Sequence, residues 1–289
     1  MSVEVCEVQA TGIRMSVQDE GRRGWARHGV PASGAMDDRA AVWANRLLNN
    51  PISAPVIELL GSGARLKFLR DTWVAVTGAN TASIVPLWRA TQIHKSEVIT
   101  FSELRAGLWT YLAVEGGIAS PTFLNSASVY ERGNIGRALQ RGDIVRRNVT
   151  AEFALPSGVS SRVAPWTEQR DYLKPPKLCV WPGPQWDLFS DAQRATLFGQ
   201  DWTVTTQSDR VGYRLSGEPL QHNIGELLSE PVLVGTIQVP ANGQPIVTMR
   251  DGPTIGGYPK LGVLEPDDIS WLAQVQPGRK VRFQLIDAI

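Results

Sequence analysis

Cysteine, histidine and net charge are all scarce in this chain of 289 residues, and each shortage closes off a class of chemistry. The two cysteines, Cys6 and Cys179, stand far apart, and neither lies in a CxxC or beside a histidine at ligand spacing, so no zinc site, other metal centre or redox pair is expected. The three histidines, His28, His94 and His222, are equally scattered. A formal net charge of +1, with Lys and Arg spread along the whole length, lacks the clustered positive charge that phosphate backbones demand, so no nucleic-acid partner is expected. No run approaches the roughly 18 apolar residues of a membrane span. The opening MSVEVCEVQATGIRM has no basic segment followed by an apolar core, which points to a cytoplasmic protein without a membrane partner. Three motifs are also missing: a GxxxxGK(S/T) phosphate loop, a GxGxxG after a strand, and HExxH. ATP use would therefore rely on another kind of site or on a partner chain.

What the chain has in quantity is punctuation, with 27 Gly and 19 Pro set between short runs rich in β-branched and aromatic residues. Such runs occur at 56–60, 65–69, 73–77, 109–114, 177–181, 202–206, 232–239, 246–250 and 280–286. They predict a mainly β protein with barrel or sandwich character and only a few short helices. Helical spacing of Met36, Ala40, Trp43, Ala44, Leu47 and Leu48 predicts one helix over 36–49. Ser190 with Gln193 forms a capping box for a second, ending by Gly199, and a short third helical turn is expected over 267–273. Between Pro156 and Pro184 periodicity fails, so two lobes are expected, 1–155 and 176–289, with 156–175 as a linker or crossover.

The densest candidate for function is Gly235 to Lys260, GTIQVPANGQPIVTMRDGPTIGGYPK. Gly243, Gly256 and Gly257 can take positive φ or admit a ligand close to the backbone, and Pro240, Pro245 and Pro259 fix φ beside them. Gln238, Asp251, Tyr258 and Lys260 supply polar and titratable groups, since Asp and Lys can be tuned by burial and by each other; equally, Asp251-Gly252-Pro253 is ordinary turn chemistry. In QSDRVGYRLSG, Asp209 and Arg210 read either as an anion clamp or as a turn ion pair, and Ser208 is in no nucleophile elbow. Nearer the start, Ser33 and Gly34 place backbone N–H groups at a helix N-terminus, which suits an anion; plain capping by Ser33 or Asp37 is the other reading. Arg22 or Arg27 could grip a carboxylate, or Arg22 could pair with Asp19. Asn45 is expected to face solvent, and Glu58 to lie on the wet side of an alternating strand.

Five blocks together resemble the allophanate hydrolase subunit 2 family, the carboxyltransferase-like group that includes KipA and the PxpC component of prokaryotic 5-oxoprolinase. They are QDEGRRGWARHGVPASGAMDDRAAVWAN at 18–45, YLAVEGGI at 111–118, WPGPQWDLF at 181–189, SDRVGYRLSG at 208–217, and the Gly235 to Lys260 block. The resemblance implies cyclophilin-like β-barrel subdomains and a companion subunit of the KipI or PxpB type. For the 5-oxoprolinase branch it implies ATP-dependent opening of 5-oxo-L-proline to L-glutamate with PxpA- and PxpB-like partners, ATP being bound by this chain or by one of them. Arg22, Arg27 and Arg210 would then hold carboxylate or phosphate, while Asp209, Asp251, Tyr258 and Lys260 would polarise a lactam and move protons. Two other branches stay open: carboxyl transfer from biotin carried on another chain to urea or another amide, and a KipA-type regulator that binds a KipI-like kinase inhibitor. One stretch departs from the family, LNSASVYERGNIGRAL at 124–139, which has lost an arginine and several glycines from a glycine-rich loop.

Overall fold

The computed structural model describes residues 1–81, 84–149, 153–225 and 227–286. Their backbone divides into two compact units, Met1–Arg22 with Ser33–Leu173, and Arg23–Ala32 with Lys174–Ile289.

The first unit holds two antiparallel sheets. One has five strands in the order Val98–Phe101, Ala64–Phe68, Ser2–Thr11, Ile144–Asn148, Ile118–Ala119. The other has six, in the order Arg162–Val163, Arg89–Ile93, Thr72–Thr81, Leu104–Val114, Val56–Leu60, Arg14–Gln18. Alternation places Val5, Val8, Leu66 and Phe68 of the first sheet and Met15, Ile57, Leu59, Val74, Val76, Leu112 and Val114 of the second in a single buried cluster. Helix α1, Asp38–Leu47, buries Ala40, Ala41, Ala44 and Leu47, and the Ala40 carbonyl accepts from the Thr77 hydroxyl at 2.7 Å, which seats the helix on the six-stranded sheet.

In the second unit eight strands run in the order Lys280–Val281, Trp202–Val204, Gly212–Ser216, Ile246–Thr248, Thr236–Gln238, Lys260–Leu264, Leu178–Pro182, Phe283–Leu285. The two outermost strands are separated in sequence by Arg282 alone, so one continuous chain segment borders both edges and the sheet nearly closes into a barrel. Near closure removes the exposed edges that would otherwise template aggregation. Helix α2, Asp191–Gly199, opens on the expected capping box of Ser190 and Gln193, and helix α3 runs over Pro266–Ala273 with Pro at its first turn. A separate two-stranded ribbon joins Glu230–Pro231 to Ile255–Gly256.

Mainly β architecture with barrel character and three short helices is therefore what the chain adopts. The stretch 156–175 behaves differently from a linker. Arg162–Val163 adds an edge strand to Arg89–Ile93, and Glu168 accepts from Arg39 at 2.6 Å and from the Trp43 indole at 3.1 Å. Tyr172 is buried and donates to Asp37 at 2.8 Å, so the first unit extends to Leu173. Such docking rests on isolated polar and aromatic anchors, which leave no periodic trace in sequence.

Candidate functional site

In the first unit, the chain entering α1 is held by carboxylates of the protein itself. Glu58 is buried on the Val56–Leu60 strand and accepts from the Met36 N–H at 2.7 Å and the Tyr111 hydroxyl at 2.9 Å. Tyr111 in turn accepts from the Asp37 N–H at 2.7 Å, and Asp37 caps the helix by accepting from the Ala40 N–H at 2.9 Å. Burial first, then the negative charges of Glu58 and Asp37, pushes the Tyr111 phenol well above its ordinary value; Tyr172 is raised by burial and by Asp37. With two carboxylates already at this helix start, the capping role belongs to Asp37, and a further anion there would meet like charge. Ser33 and Gly34 sit in the preceding turn with φ of 56° and 96°. Gly34 is required there, because a Cβ would come within 3.1 Å of the Gly21 nitrogen. The Ser33 hydroxyl is buried and makes no hydrogen bond among the described residues.

Asp19 is not positioned as a simple partner for Arg22. Its carboxylate accepts from the Gly21 and Ala127 N–H groups at 2.8 and 2.6 Å and from the Ser126 and Ser128 hydroxyls at 2.6 and 2.5 Å, tying the 19–21 loop to 126–128. Arg22 is only 1% exposed and donates to the Ser128 carbonyl. Arg27 is exposed in a 3-10 turn and donates to His28 at 3.1 Å. Asn45 and Glu58 both overturn the expectation of solvent exposure. Asn45 donates to the Ala54 carbonyl at 2.7 Å and accepts from Asn50, while Glu58 lies under α1, so each is buried with partners contributed from distant sequence.

The second unit gathers most of the other candidates. Arg210 and Asp251 form a buried two-point ion pair, Nε to Oδ2 at 2.7 Å and Nη2 to Oδ1 at 3.0 Å. Asp209 beside it is exposed and accepts from the Val211 and Gly212 N–H groups at 2.8 and 3.2 Å, so it shapes the turn rather than joining the pair. Gln238 is buried and donates to the Thr248 hydroxyl at 2.8 Å. Gly256 and Gly257 are absent from the positive-φ residues, and what approaches them closely is the protein: added Cβ atoms would meet the Gln238 Oε1 at 3.1 Å and the Leu227 carbonyl at 3.0 Å. Gly243 does take positive φ, 70°. Tyr258 is 51% exposed.

Lys260 opens the Lys260–Leu264 strand and is 3% exposed, with its ammonium 2.6 Å from the Glu230 carboxylate. Gln185 completes the group: its Nε2 donates to the same Glu230 oxygen at 2.6 Å, and its Oε1 accepts from the Lys260 N–H at 3.0 Å. Lys260, then Gln185, lowers the Glu230 carboxyl below its ordinary range. Neither Glu230 nor Gln185 stands out in the sequence as a functional residue; the one available signal is the placing of Gln185 inside WPGPQWDLF. Among the described residues no group of three or more His, Cys, Asp or Glu is arranged to hold a metal, and no helix is long and apolar enough to cross a membrane. Cys6 is buried, which pushes its thiol up to about 12 and makes it inert.

Known proteins with this pattern are similar over nearly the whole chain. The C-type 5-oxoprolinase subunit of Haemophilus influenzae is 32% identical over 98% of this chain and 91% of its own length. Its Escherichia coli K12 counterpart is 33% identical over 94% and 88%. Urea amidolyase of Saccharomyces cerevisiae is 29% identical over 96% of this chain, which spans only 16% of that protein. Among solved structures, TTHA0988 superimposes with a TM-score of 0.85 at 32% identity, covering 98% of this chain and 55% of that one. The K. lactis urea amidolyase gives 0.84 at 27% identity, covering 98% and 19%. A family model described as carboxyltransferase domain, subdomain A and B, matches residues 28–285. The chain belongs to this carboxyltransferase-domain family.

Proposed function

We propose that this chain is the PxpC-like component of an ATP-dependent 5-oxoprolinase, which opens 5-oxo-L-proline to L-glutamate together with PxpA- and PxpB-like partners. One observation carries the reading: the two C-type 5-oxoprolinase subunits match along about their full lengths, whereas the urea enzymes match only in a minor segment. A lactam amide is a poor electrophile, so its opening needs donors fixed in advance around the carbonyl and the adjoining carboxylate. Within this reading Tyr258, whose phenol is half exposed, donates toward substrate, and Lys260 supplies positive charge. Arg210 and Asp251 act as a rigid pair that shapes the surrounding turn, and Arg27 is placed to meet an anionic group at the surface. The two buried cations Arg210 and Lys260 are each set against a carboxylate, which does not suit them to a triphosphate, so ATP is assigned to a partner.

Reconstitution tests the reading. The purified chain, combined with PxpA- and PxpB-like proteins, is expected to release glutamate from 5-oxoproline only when ATP is present. Failure of the complete mixture to do so overturns it.

The family model and the urea amidolyases favour a second reading, carboxyl transfer to urea or a related amide from biotin carried on another chain. Bicarbonate- and biotin-dependent turnover in that mixture would select it. A KipA-type regulator would instead bind a KipI-like protein tightly and show no turnover in either assay.

A further inference from the structure

Lys260 and Gln185 present two nitrogen donors to one point. Both lie 2.6 Å from the same carboxylate oxygen of Glu230. The ammonium has three N–H groups, is buried, and has Glu230 as its charged partner; a buried cation without a counter-charge is costly. Gln185 is locked in place from both ends. Its side-chain oxygen accepts from the Lys260 N–H at 3.0 Å, and its own N–H reaches the Lys260 carbonyl at 3.3 Å. The turn before it is packed so closely that a Cβ on Gly183 would fall 2.3 Å from that carbonyl. The donors are thus built into the barrel wall at the start of the Lys260–Leu264 strand.

The acceptor is held far less firmly. Glu230 has a side chain 37% exposed and sits on a ribbon whose strands are two residues each, Glu230–Pro231 and Ile255–Gly256. Swinging this carboxylate into water restores its hydration, so most of the cost of opening falls on Lys260, and another carboxylate would remove that cost.

We propose that Lys260 and Gln185 form a carboxylate-binding cradle that Glu230 fills in the resting chain and that a small carboxylate ligand fills when Glu230 swings away. Lys260 then serves as a fixed positive charge rather than a proton-accepting base. Only the identity of the natural ligand rests on the 5-oxoprolinase reading, in which the carboxylate of 5-oxoproline takes the place of Glu230.

The test uses the purified full chain and its Glu230→Ala variant, titrated with sodium acetate against sodium chloride at equal ionic strength and followed by thermal melting and calorimetry. Glu230→Ala is expected to melt below the parent, to be restored by acetate but not chloride, and to bind acetate about tenfold more tightly than the parent, the effect of one charge-assisted hydrogen bond. Adding Lys260→Met is expected to abolish the acetate effect. Equal responses to acetate and chloride, or an acetate effect that survives Lys260→Met, would overturn the cradle. Glu230→Gln keeps the shape without the charge and gives the same comparison if the alanine variant does not fold. 5-Oxoproline is then titrated in place of acetate. If acetate binds and 5-oxoproline does not, the cradle stands and the 5-oxoprolinase reading fails.

Discussion

Both units bury carboxylates, but they satisfy them differently. Around the start of α1, Glu58 and Asp37 accept from backbone N–H groups and phenols. In the barrel, Asp251 and Glu230 face a guanidinium and an ammonium. A carboxylate that accepts from main chain cannot be deleted together with its partner, since the peptide N–H remains. An ion pair made of two side chains can. The first arrangement is therefore part of the fold, whereas the second is a pair of opposed charges that a ligand or a substitution can replace.

The largest expected effect separates the two arrangements directly. Arg210→Met leaves Asp251 charged and buried and should cost about 3–5 kcal/mol by urea unfolding. The double variant Arg210→Met, Asp251→Leu should recover most of that loss, because an apolar pair of similar volume needs no desolvated charge. Glu58→Leu should cost about 3 kcal/mol, and adding Tyr111→Phe should recover little, because the Met36 and Asp37 N–H groups stay buried without acceptors. Equal recovery in the two double variants would erase the distinction.

A middling effect concerns alkali. Tyr111 and Tyr172 have phenols raised above the ordinary 10.0, so the native state keeps protons that the unfolded chain has lost. Their contribution is complete below pH 10.0 and falls as the pH rises through the raised native values. The pH dependence of unfolding between about 9 and 11 should flatten in Tyr172→Phe, at a cost of about 1 kcal/mol at neutral pH from the lost bond to Asp37. An unchanged slope would show that this phenol does not couple to folding.

The smallest expected effect is at the surface. Arg27→Ala should change stability by less than about 0.5 kcal/mol. If Arg27 meets an anionic substrate group, the reconstituted enzyme should nevertheless show a raised KM with kcat nearly unchanged; an unaltered KM removes Arg27 from the site.

Much of the fold is legible because periodicity is a local property. The runs at 56–60, 109–114 and 202–206 fall on observed strands, and the Ser190 capping box begins α2 where expected. Strand Ser2–Thr11 is hidden in the sequence, since its alternation is broken by two register shifts that leave only a partial buried face. The Gly235 to Lys260 block is dense in constrained backbone, yet Gly256 and Gly257 are glycines because their own chain packs against them. Glu230 is illegible for another reason: nothing beside it in sequence distinguishes it from any exposed glutamate.

By itself, then, the sequence determined a mainly β chain with few helices, the capping box of α2, and membership in the family, because each of these is written in residue spacing and in the order of blocks. Tertiary structure decided which polar side chains share a partner. Glu58 meets Tyr111 across 53 positions, Arg210 meets Asp251 across 41, and Gln185 meets Glu230 across 45. Burial at those meetings sets whether a charge is a cap, a strut or a donor, and burial depends on neighbours brought together only when the sheets form.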